Sequence, residues 1–401
     1  MVAMTTEAVP YSTLQLGEAT LHFLHTAMGR MFLMAEVAGQ LFRENPGTFS
    51  KELRSGRYGK VHTESRGVLR AMSALGIPPE SQVVEGATLI SPQVLETLLR
   101  DRHMTALLQP FRLALLRLAS QEAAQLMAAG DYEAALPVAV NAVKQGQEVY
   151  KPAASIQLFP LYLLAAQANL GLKRARQCEE FLGLASWLAL KEPGLTTNVM
   201  QSQLSRLFGQ LYAMEEKGTE AIQSFAEDIY FCSLEHGPRD VRTTLGYYNI
   251  AKIFESQDDK AKALAYLGQV ITIWLDTALR LQQNGTGTET AQRKSTGNGR
   301  TSPDAQTETL PLGKAQLSEV VGMLDDACNL REEAHGANSG AVAEACFAVG
   351  LVRSLVGDVQ AAARDLERAG SIYGALREPD LEQRVRSAMI RLFSVTPETG
   401  R

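Results

Sequence analysis

Cysteine is scarce. Four occur in 401 residues, at Cys178, Cys232, Cys328 and Cys346, with no CxxC spacing and none in the first 177 positions. A structural zinc site needs about four thiolate or imidazole ligands close together in sequence, and these cysteines with six histidines do not supply one. No metal or cofactor is expected, and the thiols read as free and buried, in a reducing compartment. Aromatic residues make up only 6%, and Val, Ile and Thr do not gather into alternating runs, so the chain reads as mainly helical. Long hydrophobic runs are also missing. The most apolar stretch, LFPLYLLAAQANLGL (Leu158–Leu172), is too short to span a bilayer and holds Pro160, Gln167 and Asn169. The opening MVAMTTEAVPYST has no basic segment followed by an apolar one, so it does not read as a signal peptide. A soluble intracellular protein is expected, with neither nucleic acid nor membrane as a partner.

The motifs of catalysis are absent as well. There is no Walker loop, no GxGxxG after a strand, no GxSxG elbow and no HExxH. His22 and His25 form an i, i+3 pair on an expected helix, but no carboxylate or cysteine completes a metal set. Asp325-Asp326 and Glu332-Glu333 are adjacent acids, which on a helix do not face each other; they read as solvated charges. The chain is expected not to be an enzyme.

What is present is a phrase written twice. SLEHGPRDVRTTLGYYNIAK (Ser233–Lys252) and REEAHGANSGAVAEACFAVG (Arg331–Gly350) both end a helix at His-Gly and restart one, 99 residues apart. The stretch MAAGDYEAALPVAVNAV (Met127–Val143) supplies the frame: a turn at Gly130-Asp131, then Ala135 where helix B of a hairpin crosses helix A. Cys178, Ala221, Ala263 and Ala362 recur at that crossing, in steps of 43, 43, 42 and 99 residues. Ala123, Ala166, Gly209, Ala251 and Gly350 are their helix A counterparts. Small residues at both sites let two helices pack closely. The frame predicts an all-α, tetratricopeptide-like right-handed helical-hairpin solenoid with repeats of about 42 residues, longer than the usual 34. The twice-written phrase is then the joint between repeats, with Gly as the helix stop.

The frame divides the chain. Residues 111–280 and 314–394 hold repeats, and 395–401 form a flexible tail. One repeat is degenerate: its B helix is expected over Gln316–Ala334, while the place of its A helix, about 280–312, is rich in Gly, Thr, Ser, Asn and Gln. Residues 281–313 therefore read as a disordered low-complexity insertion, with Ser302-Pro303 as a candidate phosphorylation site. Residues 1–110 read as a helical N-terminal extension. Leu14, Leu21, Leu24, Met28, Phe32, Ala35 and Leu41 suggest one long helix over Ser12–Asn45, packed in the core or docked on a partner. Thr48–Arg70 is basic and suits an acidic surface or a solvated face. Ser91-Pro92 opens a helix expected to stop before Pro110.

The A helices of such a solenoid line its concave surface. The frame places Gln167, Gln203, Arg206, Gln210, Tyr248, Asn249, Lys252, Glu255, Glu344 and Phe347 there. This mixed polar set, with Arg206 and Lys252 as cationic donors, suits the backbone and carboxylates of a partner peptide.

Two resemblances follow from these residues. LDDACNLREEAHG (Leu324–Gly336) resembles the long repeats of kinesin light chains, which implies a cytoplasmic adaptor linking cargo peptides to a motor; the heptad coiled coil that kinesin light chains use is absent. More specific is Phe111–Ala278, with a weaker match over Glu319–Glu333. The Asp-Ile-Tyr-Phe run at 228–231, Asp240-Val241-Arg242-Thr243, the Trp187 context and Ile273-Trp274 resemble the tetratricopeptide-like region of the zinc finger MYND domain-containing protein 12 family. That resemblance implies a scaffold of the ciliary or flagellar axoneme, part of the cytoskeleton, serving cell motility after a cytoplasmic stage before assembly. The implied partners are inner-arm dynein subunits including the heavy chain, another tetratricopeptide axonemal protein and the doublet microtubule surface. The family's MYND zinc module has no counterpart here, so no zinc role carries over.

Overall fold

At the start of the chain, strand periodicity wins over helical periodicity. Thr13, Gln15, Glu18 and Thr20 are exposed while Leu14, Leu16, Ala19 and Leu21 are buried. On a helix Leu14 and Leu16 would point about 200° apart, and one core face could not take both. The computed structural model describes residues 11–26, 29–54, 62–64, 87–152, 155–292 and 313–395. It divides into two units, Met1–Arg174 and Ala175–Arg401.

In the first unit, β1 (Tyr11–Leu16), β2 (Ala19–Thr26), β3 (Gly29–Leu33), β4 (His62–Glu64) and β5 (Ala87–Ile90) form an antiparallel sheet in the order β1-β2-β3-β5-β4. Leu14 pairs with Leu21 and Leu16 with Ala19. Gly17, at φ 63°, opens the two-residue loop between them, as a type II′ hairpin requires. The expected helix over Ser12–Asn45, and with it the all-helical reading of residues 1–110, is overturned. His22 and His25 lie on β2, not on a helix. The basic stretch from Thr48 falls partly on α1 (Pro46–Arg54), and mostly outside the described residues.

Helix α2 (Pro92–Asp101) starts as expected, with the Ser91 hydroxyl accepting from Val94 N at 3.3 Å. It ends earlier than expected, and α3 (Thr105–Ala128) then runs through Pro110, which sits in its second turn. Phe111 on α3 packs against Phe32 of the sheet, ring centroids 5.9 Å apart, in a core shared with Leu95, Leu98 and Leu99 of α2. Arg102 is held by Glu44 and, at 2.7 Å, by Glu52. The far end of α3 enters the first hairpin with α4 (Tyr132–Val149), and α5 (Phe159–Gly171) follows.

The second unit is helical throughout its described residues: α6 (Ala175–Lys191), α7 (Asn198–Met214), α8 (Gly218–His236), α9 (Thr244–Ser256), α10 (Lys260–Gln292), α11 (Lys314–His335), α12 (Gly340–Val356), α13 (Val359–Leu376) and α14 (Pro379–Val395). The repeat frame holds, and the repeats have an all-α, tetratricopeptide-like fold. Ala135, Cys178, Ala221, Ala263 and Ala362 are each fully buried, as are Ala123 and Ala166. A Cβ on Gly209 would lie 2.6 Å from the Phe225 ring, and one on Gly350 would lie 2.9 Å from Leu366 Cγ and 3.2 Å from the Ala362 carbonyl.

The turns repeat with the same period. Positive φ occurs at Gly130, Lys173, Glu216, Asp258 and Gly357, each five residues before its crossing residue. In three of the five, an aspartate follows and caps helix B: Asp131, Asp259 and Asp358 accept from Ala134, Lys262 and Ala361 N. The joints match too. Gly237 (φ 94°, ψ 153°) and Gly336 (φ 81°, ψ 155°) share one conformation that L residues rarely adopt. Three residues on, Asp240 and Ser339 each cap the next helix. That shared geometry is why the phrase is written twice.

Residues 281–292, read as the start of the insertion, continue α10 instead. The rest of the insertion, 293–312 with Ser302-Pro303, lies outside the described residues, as do 396–401. Gly350→Ala is expected to lower stability by about 1–3 kcal/mol through overpacking. Gly322→Ala, at an exposed α11 position with open space around it, is expected to raise stability by about 0.5–1 kcal/mol. Urea denaturation of the full chain reads both, as midpoint shifts of opposite sign.

Candidate protein-binding pocket

Ser202 and Arg206 stand four residues apart on α7, so they share a face. That face meets Asp228 of α8, a carboxylate that occupies a position in the buried stripe Ala221, Phe225, Cys232. Asp228 accepts from Ser202 Oγ at 2.5 Å, from Arg206 Nε at 2.8 Å and from Arg206 Nη2 at 3.0 Å. A buried charge is tolerated when it is paired and its lone pairs are filled in this way. Arg206 Nη1 is left outside the pair.

A second cation is fixed at the joint. Asp240 accepts from Arg242 Nε at 2.8 Å, from its Nη2 at 3.3 Å and from its backbone N at 2.9 Å. Arg242 Nη1 lies 3.2 Å from His236 Nε2. Beside it, Thr244 Oγ1 accepts from the indole Nε1 of Trp274 at 3.1 Å and donates to the Val241 carbonyl at 2.6 Å. Trp274 is the largest fully buried side chain described, and its one polar atom is thereby satisfied.

Ser202, Arg206, His236, Arg242 and Thr244, so held, face a cavity of about 310 Å³ within the second unit. One wall is α7, through Val199, Ser202, Gln203 and Arg206. The joint contributes His236, Arg242, Thr244 and Leu245. The opposite wall is the chain's own α11, through Gln316, Glu319, Val320 and Met323. The cavity combines apolar surface with guanidinium, imidazole and amide donors and, on the α11 wall, the Glu319 carboxylate; its cationic side suits a side chain with an apolar stem and a polar or acidic head.

Helix α11 is held by its acids, which are not simply solvated as expected. Asp325 accepts from Arg353 at 2.8 Å, whereas Asp326 accepts from Tyr248 Oη at 2.5 Å. One heptad on, Glu332 accepts from Arg368 at 2.7 Å and Glu333 from Lys260 at 3.4 Å. Adjacent acids thus turn to different neighbours: one ribbon to α12 and α13, the other to α9 and α10. Burial, then the bond to Asp326, pushes the Tyr248 phenol above its ordinary pKa. Burial likewise raises the Cys232 thiol.

The ten groove residues expected from the sequence separate. Gln203 and Arg206 line the pocket. Gln210 is half-buried farther along α7, and Gln167 is exposed on α5 of the first unit. Tyr248, Lys252 and Glu255 form a cluster on α9: Lys252 Nζ is 2.7 Å from Glu255 and 3.8 Å from Asp326. Lys252 is therefore already engaged. Asn249 has a buried Nδ2 with no partner among the described residues. Glu344 pairs with Arg331 at 2.9 Å. Phe347 is a correction: it is 3% exposed and belongs to the core, because α12 is apolar on every side from Ala345 to Val352. Sequence reasoning missed Ser202, His236, Gln316 and Glu319 as pocket residues, and Asp228 as the buried carboxylate that fixes Arg206. Trp187 is half exposed, with Lys191 Nζ 5.1 Å from its ring centroid.

No family model matches the chain. Solved structures similar to it include BtubC (BKLC) from P. vanneervenii, 17% identical, covering 78% of this chain and 91% of that one with a TM-score of 0.39. A putative kinesin light chain with nearly identical TPR-like repeats from Podosopora anserina is 11% identical, covering 56% and 99%, TM-score 0.25. A signal transduction ATPase with a tetratricopeptide repeat sensor from Pyrococcus horikoshii is 11% identical, covering 85% and 51%, TM-score 0.35. The tetratricopeptide-like assignment stands on the hairpins themselves.

Asp228→Ala is expected to cost about 3 kcal/mol, since it strands Arg206 beside an emptied buried site. Adding Arg206→Met should restore part of that loss; thermal melts of the two variants against the parent give the comparison.

Proposed function

We propose that this protein is a non-catalytic scaffold of the ciliary or flagellar axoneme that helps to attach or steady an inner dynein arm, and that the pocket beside α7 receives a partner side chain. One observation carries the reading. Three of the four runs that resemble the zinc finger MYND domain-containing protein 12 family hold residues of this pocket in place: Asp228 fixes Arg206, Asp240 fixes Arg242, and Trp274 fixes Thr244. None of these pairings is needed to close a tetratricopeptide hairpin. A partner segment would lay an apolar stem against Val199, Val320 and Met323 and present an acidic or polar head to Arg206 Nη1 and the Arg242–His236 pair. Inner-arm dynein heavy chain, a second tetratricopeptide protein and the doublet surface are the proposed sources of that segment.

Salt extraction of axonemes carrying the tagged full chain tests both parts. Release at about 0.5 M salt together with inner-arm dynein is expected for contacts that are partly screened charge pairs. Confinement to the soluble cell-body fraction would sink the axonemal role. Gln203→Trp, at an exposed position on the pocket wall, should block the pocket without disturbing the core. Its axonemal retention is expected to fall several-fold; retention equal to the parent would remove the pocket from the interface.

A further inference from the structure

Two of the four cysteines touch. Cys328 of α11 and Cys346 of α12 place their sulfurs 3.5 Å apart, both as free thiols. Cys178 and Cys232 lie in other hairpins and are also buried. A disulfide has an S–S distance of about 2.05 Å, so the pair need close by only about 1.5 Å, within reach of χ1 adjustment and a small helix shift. The surroundings favour a small oxidant. Cys328 is 7% and Cys346 2% exposed, which shuts out bulky thiols such as glutathione. The guanidinium of Arg368, held by Glu332, adds a favourable charge near both sulfurs.

We propose that Cys328 and Cys346 are a redox-modification site, closing to a reversible intramolecular disulfide when hydrogen peroxide reaches them. The Cys328 sulfur attacks a peroxide oxygen; the O–O bond breaks, and the leaving oxygen departs as water with the thiol proton. The resulting sulfenic acid is then attacked by the Cys346 sulfur. The S–S bond forms, the S–O bond breaks, and a second water leaves. Two thiols are oxidised and one peroxide is reduced to two waters. A dithiol reductant reverses the change. Cys328 attacks first because it is the more exposed of the two sulfurs; either thiol can donate the hydrogen bond between them, and with Cys346 donating, Cys328 is held below the ordinary thiol pKa and Cys346 above it. Burial pushes the isolated Cys178 up to about 11, which leaves it little thiolate to react. The disulfide would tie to α12 the helix that forms one wall of the pocket.

Peptide mapping of the full chain under non-reducing conditions tests this. After treatment with hydrogen peroxide, the tryptic peptides Ala315–Arg331 and Glu332–Arg353 should appear linked, about 2 Da below their summed mass, and separate on addition of dithiothreitol. Cys178 and Cys232 should alkylate as before. In Cys346→Ser, Cys328 should stop at the sulfenic acid and take up dimedone. Separate peptides after oxidation, over-oxidation of either thiol without linkage, or a Cys346→Ser protein that gives no dimedone adduct at Cys328 would each overturn the proposal. Equal oxidation of Cys178 would do the same.

Discussion

The repeats depend on how near two helices of one hairpin can come. At Gly209 and Gly350 even a methyl group would intrude, on an aromatic ring in one case and on a neighbouring backbone carbonyl in the other. Everything else in the period follows from that approach. The crossing residue on the second helix must also be small, and the turn must reverse the chain within five residues of it. That short turn demands one residue at positive φ. Glycine fills it at 130 and 357, but Lys173, Glu216 and Asp258 fill it in the middle repeats. Left-handed backbone costs an L residue roughly 1–2 kcal/mol, so at Glu216 and Asp258 the packing of the crossing, not the ease of the turn, sets the geometry.

Helix α11 shows a second way of joining elements. Its apolar stripe, including Leu324 and Ala327, enters the same core as α12, and its paired acids divide between neighbours on either side. Each surface ion pair adds little alone. Their use is directional: acids one residue apart cannot exchange partners without rotating the helix by about 100°. Arg331, buried and bonded to Glu344 and to the Ala341 carbonyl at 2.7 Å, fixes the rotation from the other end.

Much of this was legible in the sequence, and the omissions have physical reasons. Spacing alone revealed the hairpins because a close crossing admits few residue types. It did not reveal the sheet, because Leu14, Leu21 and Leu24 satisfy a helical period while Leu14, Leu16, Ala19 and Leu21 satisfy a β-hairpin once Gly17 is recognised as its turn. Phe347 was placed in the groove by its equivalence to Tyr248, 99 residues earlier. The apolar run around it, AVAEACFAVGLV, already described a helix buried on all sides. Asp228 was readable too, as an acid in phase with a buried stripe. That α11 closes the pocket was not readable, since no local pattern states which distant helix covers a given face.

The placement of the two tryptophans gives the protein a pair of optical reporters. Trp274 is sealed in the core with its indole N–H bonded to Thr244, whereas Trp187 is 50% exposed on α6 beneath a lysine. With no third indole in the chain, native fluorescence divides into a blue, quencher-resistant component from the core and a red, quencher-accessible one from the α6 surface. Loss of core packing and occlusion of the α6 face therefore move different parts of one emission band.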